Sequence, residues 1–261
     1  MTKTVEPTYS VHHLPWLQWS RGMPDRSVDH VITDPPYMAH THQSQRRGSA
    51  KRGQRSAERP IGFHHLTAEL RRVYADEMAR LARRWLIVFS DAEGWQGWRD
   101  DLEAAGLVVP RQLVWVRGAH DLDEGGSRVL RGNKGAPQFN GMHPSAGHEV
   151  MALAHRAGVR MRWNGRGALR DGTGGKRGAG DVYTHEIETE GRLHQAQKPL
   201  ALMRELVRDF TEPGDVILDP FAGAGTTLLA AKIEGRSAIG CEEIERYAAI
   251  SARRFGLVFR P

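Results

Sequence analysis

An α/β fold with a doubly wound, mostly parallel sheet is what three features of this 261-residue sequence predict. Short apolar runs alternate with amphipathic stretches, which is the rhythm of βα units. Two of the apolar runs end in turns with unusual chemistry, Val31-Ile-Thr-Asp-Pro-Pro-Tyr37 and Val216-Ile-Leu-Asp-Pro-Phe-Ala-Gly-Ala-Gly225. A chain of this length buries a sizeable core as one unit, so residues 1–261 read as a single domain.

In chain order, strands are predicted at Val28–Thr33, Trp85–Ser90, Arg111–Val116, His148–Ala154, Val216–Leu218 and Ser237–Cys241. Each is a run rich in β-branched or other apolar residues. Helices are predicted at Thr67–Arg83, Gly94–Ala105, Pro199–Phe210, Thr226–Glu234 and Glu245–Phe255. A proline or hydroxyl residue opens several of them, and a glycine follows the end of others.

Two stretches break the rhythm. Residues 39–62 are polar, basic and nearly free of large apolar side chains, which predicts a mobile loop. Residues 156–195 hold nine glycines, eight of them from Gly158 to Gly180, among many arginines with one tryptophan, Trp163, and read as an insertion without a core of its own.

Composition narrows the function classes. With 37 Lys+Arg against 31 Asp+Glu the net charge is +6, which favours a polyanionic partner. The excess is uneven, because Arg46, Arg47, Lys51, Arg52, Arg55 and Arg59 crowd one segment. The lone Cys241 excludes an internal disulfide and a multi-cysteine zinc site. His12/His13 and His64/His65 are adjacent pairs that do not share a face, so no metal is expected. No run approaches the roughly 20 apolar residues of a membrane span, and the N-terminus lacks a signal-peptide stretch, so a cytoplasmic protein is expected.

The turn after Val216–Leu218 is the most informative. Gly223 and Gly225 permit positive φ and let a ligand approach where a Cβ would block it, at the carboxyl end of a strand. The third glycine of the dinucleotide fingerprint is replaced by Leu228, and no Gly-Lys-Ser/Thr follows, so neither a dinucleotide nor a P-loop ligand fits. The next apolar run ends in acids some twenty residues on, where Glu242 is placed to accept the hydroxyls of a ribose. A nucleoside without phosphates fits this pattern, and S-adenosylmethionine is such a ligand.

Asp34-Pro-Pro-Tyr37 and Asp219-Pro-Phe-Ala-Gly-Ala-Gly-Thr-Thr227, with Gln197-Lys-Pro-Leu200 before the latter, closely resemble the amino-group DNA methyltransferases that use S-adenosylmethionine. The catalytic motif comes first and the glycine-rich motif late, as in the beta-ordered group of that family. The resemblance implies a Rossmann-like methyltransferase fold.

The chemistry explains the residues. An exocyclic amino nitrogen is a poor nucleophile because its lone pair is delocalised into the base. A carboxylate accepting one N–H and a backbone carbonyl accepting the other favour a pyramidal nitrogen with its lone pair aimed at the methyl group. Asp34 is placed for the first role and the Pro35 carbonyl for the second, with Pro35 and Pro36 stiffening the turn. Tyr37 offers a face for an extruded base, a contact worth on the order of 1–3 kcal/mol. Ring-carbon methylation would need a cysteine nucleophile, and Cys241 reads instead as a small buried strand residue.

The resemblance further implies that Asp219 and Phe221 lie along the cofactor, with Gly223 and Gly225 beneath it. It places Thr226 and Lys198 near the methionine carboxylate and Glu242 on the ribose. Where the family often has an acid after its first strand, this chain reads Tyr9-Ser-Val-His-His13. The Asp that opens the catalytic motif is the mark of family members acting on adenine N6, with cytosine N4 as the alternative. A nonenzymatic nucleic-acid-binding protein on the same fold is a further alternative, disfavoured by two intact motifs.

Base flipping in duplex DNA costs a few kcal/mol that contacts to the DNA must offset. Arg46, Arg47, Lys51, Arg52 and Arg55 are placed next to the catalytic turn to grip phosphates, and Arg160, Arg162 and Arg166 are the candidate base readers in the recognition region. A homodimer sharing the duplex fits this picture.

Overall fold

The computed structural model describes residues 6–37, 66–122, 128–131, 147–164, 180–188, 193 and 197–257. The expected loop over 39–62 lies outside them, and so do Arg46, Arg47, Lys51, Arg52, Arg55 and Arg166.

The chain opens with β1 (Tyr9–His12) and a short α1 (Trp16–Ser20), then β2 (His30–Thr33). Next come α2 (Ala68–Leu81), β3 (Trp85–Ser90), α3 (Trp95–Ala104) and β4 (Leu107–Arg117). A hairpin of β5 (Ala119–Leu122) and β6 (Arg128–Arg131) precedes β7 (His148–Arg156) and β8 (Val182–His185). The chain closes with α4 (Leu200–Phe210), β9 (Val216–Asp219), α5 (Thr226–Ile233), β10 (Ser237–Cys241) and α6 (Glu245–Arg254).

Eight strands form one sheet in the order β1-β10-β9-β2-β3-β7-β4-β8. From β1 to β3 every neighbour is parallel. β7 runs antiparallel to both β3 and β4, and β8 is parallel to β4. The predicted architecture is therefore present, with one reversed strand set inside it.

Burial from both sides explains the sequence of the central strands. Every residue of β2 and β3 is buried, so they read as apolar runs without alternation. Side chains still alternate between faces: Ile32, Ile87 and Phe89 join Leu202, Met203 and Leu206 of α4 in one core cluster. Val31, Leu86 and Val88 join Met78 of α2 and Trp98 and Leu102 of α3 in the other. Each such fully buried side chain contributes about 1.5–3 kcal/mol. Thr67 caps α2, its side chain accepting from the Leu70 amide at 3.2 Å.

β1 and β8 depart from the pattern of apolar runs because both are four-residue strands at opposite margins of the sheet, where burial is partial. β8 arises inside the 156–195 stretch and delivers buried Tyr183 to the core, so that stretch contributes to the sheet. No helix among the described residues is long and apolar enough to cross a membrane.

Strand direction positions the site. β2, β3, β9 and β10 all end at one edge of the sheet, and antiparallel β7 begins there. Asp34, Asp219 and Glu242 thus meet Glu149 at that edge. The chain leaving β7 after Arg156 does so at the opposite edge.

Candidate active site

The two motifs, far apart in sequence, meet between adjacent strands. β2 and β9 pair through His30 with Ile217 and Val31 with Leu218. One step further on, the buried Thr33 hydroxyl donates to Asp219 Oδ1 at 2.6 Å. The same oxygen accepts the Phe221 amide at 3.1 Å. Burial pushes the Asp219 carboxyl up to about 6, against hydrogen bonds from Thr227, Thr33 and Phe221 that favour its charged form.

Asp34 follows Thr33 directly. Lys198 Nζ lies 2.5 Å from Asp34 Oδ2, while Asp34 Oδ1 is buried and has no hydrogen-bond partner among the described residues. Lys198 also reaches Glu149 Oε2 at 3.0 Å and donates to the Tyr37 hydroxyl at 3.3 Å. That hydroxyl donates in turn to Glu149 Oε2 at 2.8 Å, and Arg117 holds Glu149 Oε1. The Lys198 ammonium sits 5.1 Å and 5.4 Å from the ring centres of Phe89 and Tyr37.

These groups share out charge in a desolvated cluster. Burial raises the Asp34 carboxyl above its usual range and Glu149 adds to the rise, with Lys198 opposing. Burial also works against Glu149, but Lys198 and Arg117 outweigh it and hold that carboxyl at about 2. Burial would lower Lys198, yet its two carboxylate neighbours keep it above its ordinary range. Tyr37 is raised well above its usual value, first by burial and then by both carboxylates. The result is a carboxylate with one oxygen fixed and one oxygen open to a donor.

The glycine turn lies alongside. Gly223 has φ 50° and Gly225 φ 79°, both in the left-handed region that favours glycine. A Cβ on Gly225 would lie 2.3 Å from Ser251 Oγ, so this glycine lets α6 close on the turn. A Cβ on Gly223 would meet nothing within 4 Å, which leaves its face open to a ligand. Glu242, at the end of β10, accepts the Gly223 amide at 2.8 Å and the Ile244 amide at 2.9 Å. Burial pushes its carboxyl up to about 7 in spite of those two bonds. Half-buried Phe221 packs against Trp16 and Tyr74, with ring centres 5.9 Å and 5.1 Å away.

An open glycine turn, an aromatic side chain and a buried acid suit a nucleoside, which offers a hydroxyl pair and a flat ring but no phosphate.

The structure gathers Asp34, Pro35, Pro36 and Tyr37 in one turn and Asp219, Phe221, Gly223, Gly225, Thr226 and Glu242 in the other, joined by Thr33. Two sets of neighbours were not foreseen from the sequence. The partners of Lys198 are Asp34, Glu149 and Tyr37, because two buried carboxylates need a buried cation. At Thr226 the neighbouring cation is Arg254, whose Nη1 lies 3.3 Å from Thr226 Oγ1 and donates to the Ala224 carbonyl at 2.7 Å. Arg160 and Arg162 are exposed on the edge opposite Asp34, since β7 carries the chain away from the Asp34 turn. There Trp85 Nε1 donates to the Arg162 carbonyl at 2.6 Å.

The sequence reading did not single out Thr33, Arg117 or Arg254, and it took Glu149 only as part of a strand. One signal pointed to Glu149: an acid directly ahead of the apolar Val150–Ala154 run of β7 must find a cation.

The N6_N4_Mtase family, described as DNA methylase, matches residues 133–253. A stretch of 64 residues, 24% of this chain, is 48% identical to the type II methyltransferase M.HindIII of Haemophilus influenzae and covers 21% of that protein. The chain spans less than a third of the length of the curated relatives it matches. Among solved structures, M1.HpyAVI in complex with SAM is similar with a TM-score of 0.66 and 20% identity, over 96% of this chain and 100% of that one. The cytosine-N4-specific PvuII DNA methyltransferase is similar with a TM-score of 0.68 and 16% identity, over 96% of this chain and 87% of that one. Over residues 133–253 the chain is thus similar to the N6_N4_Mtase family of DNA methylases, and its described residues have a Rossmann-like fold like that of these two solved structures.

Proposed function

We propose that this protein is a DNA methyltransferase that moves a methyl group from S-adenosylmethionine to the exocyclic N6 of adenine in duplex DNA, with the base flipped out of the helix. The observation that carries the reading is the buried, unpartnered Asp34 Oδ1 one residue beyond the Thr33–Asp219 bond that unites the two motifs.

Gly223 and Gly225 would lie beneath the cofactor, Phe221 and Asp219 along it, and Glu242 at its ribose. S-adenosylmethionine supplies the methyl group on its sulfonium. Asp34 Oδ1 accepts one N–H of the target amino group and the Pro35 carbonyl accepts the other, which directs the nitrogen lone pair out of the ring plane. As the nitrogen gains its carbon it sheds one proton, and Asp34 Oδ1 is placed to receive it. Tyr37 stacks on the flipped base. The raised Asp34 carboxyl makes it a better base than an exposed aspartate.

Arg46, Arg47, Lys51, Arg52 and Arg55 follow the catalytic turn in sequence and are proposed to grip phosphates. Arg160 and Arg162, on the far edge, are left out of the proposed base contacts.

Adenine N6 is favoured by the aspartate that opens the catalytic motif. Cytosine N4 is the second reading, supported by the likeness to PvuII methyltransferase, and the same two acceptors serve it. Modified-base sequencing of DNA from cells expressing the protein tests both. Methylated adenine N6 at a fixed sequence is expected, methylated cytosine N4 would transfer the reading to cytosine, and unmodified DNA would refute it. Asp34→Ala should abolish labelled methyl transfer while leaving cofactor binding nearly intact. Normal transfer by that variant would refute the catalytic assignment.

A further inference from the structure

Glu149 has no task in the chemistry just described, yet the cluster is organised around it. It is the second residue of β7, with 11% of its side chain exposed. The Tyr37 hydroxyl and Lys198 Nζ converge on Oε2 at 2.8 Å and 3.0 Å, and Arg117 holds Oε1. Lys198 is thereby divided between two carboxylates, Glu149 and Asp34.

We propose that Glu149 is a positioning residue for the catalytic turn. By sharing Lys198 it keeps Asp34 bonded through Oδ2 alone with Oδ1 free. By holding the Tyr37 hydroxyl it sets the ring against which the flipped base stacks. The role assigned to Asp34 rests on the methyltransferase reading, but the arrangement itself is present without substrate.

The groups facing Asp34 are Lys198 ahead of α4, Glu149 of β7, Tyr37 of its own turn and Asp219 of β9, with Arg117 of β4 behind Glu149. Replacing Glu149 by glutamine removes a negative neighbour of Asp34 and leaves Lys198 to Asp34 alone. The Asp34 carboxyl then titrates at lower pH, and its free oxygen becomes a weaker base.

The test compares the full-length protein with Glu149→Gln and Glu149→Asp. A readout that needs no turnover is the carbon-13 NMR titration of the Asp34 carboxyl, assigned with Asp34→Asn. It should move to lower pH in Glu149→Gln, and an unmoved titration would overturn the inference. In methyl transfer, Glu149→Gln should lower kcat about tenfold or more, leave the cofactor KM nearly unchanged and shift the acid limb of the pH profile downward. Glu149→Asp keeps the charge and shortens the reach to Lys198 and Tyr37, so kcat should fall although the titration stays nearly in place. Wild-type kcat in that variant would overturn the positioning role. A moved titration in a protein that methylates no DNA would sink the proposed reaction and leave the positioning standing. Methylation with an unmoved titration would do the reverse.

Discussion

Glu242 carries a pH-dependent liability whose size follows from its surroundings. Its carboxyl is pushed from an ordinary 4.5 up to about 7, chiefly by burial. At about 1.4 kcal/mol per unit, the rise corresponds to about 3 kcal/mol. Because the folded value exceeds the unfolded one, this contribution to stability is fully present below pH 4.5 and is lost as the pH climbs through about 7. Glu242→Gln has no such dependence. The glutamine carbonyl keeps one backbone donor, but either the Gly223 or the Ile244 amide loses its acceptor, which costs about 1–3 kcal/mol at every pH. The variant should therefore be the weaker protein in acid and close the gap by about pH 8, the difference in unfolding free energy moving by about 3 kcal/mol. Urea unfolding of the free protein across this range measures it directly. A gap that stays constant with pH would refute the reasoning. A ribose donating to this carboxylate favours its charged form, so cofactor binding near neutral pH should release protons. Calorimetry in buffers of different ionisation enthalpy reads that release, and its absence would count against the ribose role.

Four further outcomes are expected. Gly225→Ala forces a side chain into a left-handed backbone with its Cβ 2.3 Å from Ser251 Oγ, and should lower Tm by about 4–8 °C. Gly223→Ala meets no neighbour, so calorimetric binding should show a larger loss of cofactor affinity than its loss of Tm would suggest. Lys198→Met leaves Asp34 and Glu149 buried without their shared cation, and chemical unfolding at neutral pH should show a loss of about 3–5 kcal/mol. Neutralising Arg46, Arg47, Lys51 and Arg52 together should flatten the salt dependence of DNA binding, and an unaltered slope would refute their phosphate role.

Some of this protein is written plainly in its sequence. β3 and β10 occupy the predicted Trp85–Ser90 and Ser237–Cys241, because strands buried on both faces appear as unbroken apolar runs. The two motif turns are equally legible, since proline pairs and glycines constrain the backbone locally. β8 escapes notice, and β1 shows only through the family resemblance at Tyr9–His13, because strands at the sheet margin need few apolar residues. The direction of β7 is hidden too: an apolar run marks a strand without saying which way it points, and the far placement of Arg160 and Arg162 follows from that direction alone. Lys198 stood out in the sequence as a candidate site residue but not as the partner of Asp34, a contact that spans 164 residues of chain.

The seam between β2 and β9 has a consequence for the birth of the protein. Translation delivers Asp34 well before β9, the strand that must lie beside it, and β1 well before β10, which it requires as a neighbour. Until then β2 lacks one of its flanking strands and β1 has no partner in the main sheet. The emerging chain consequently holds no assembled cleft until β9 and β10 have both been made.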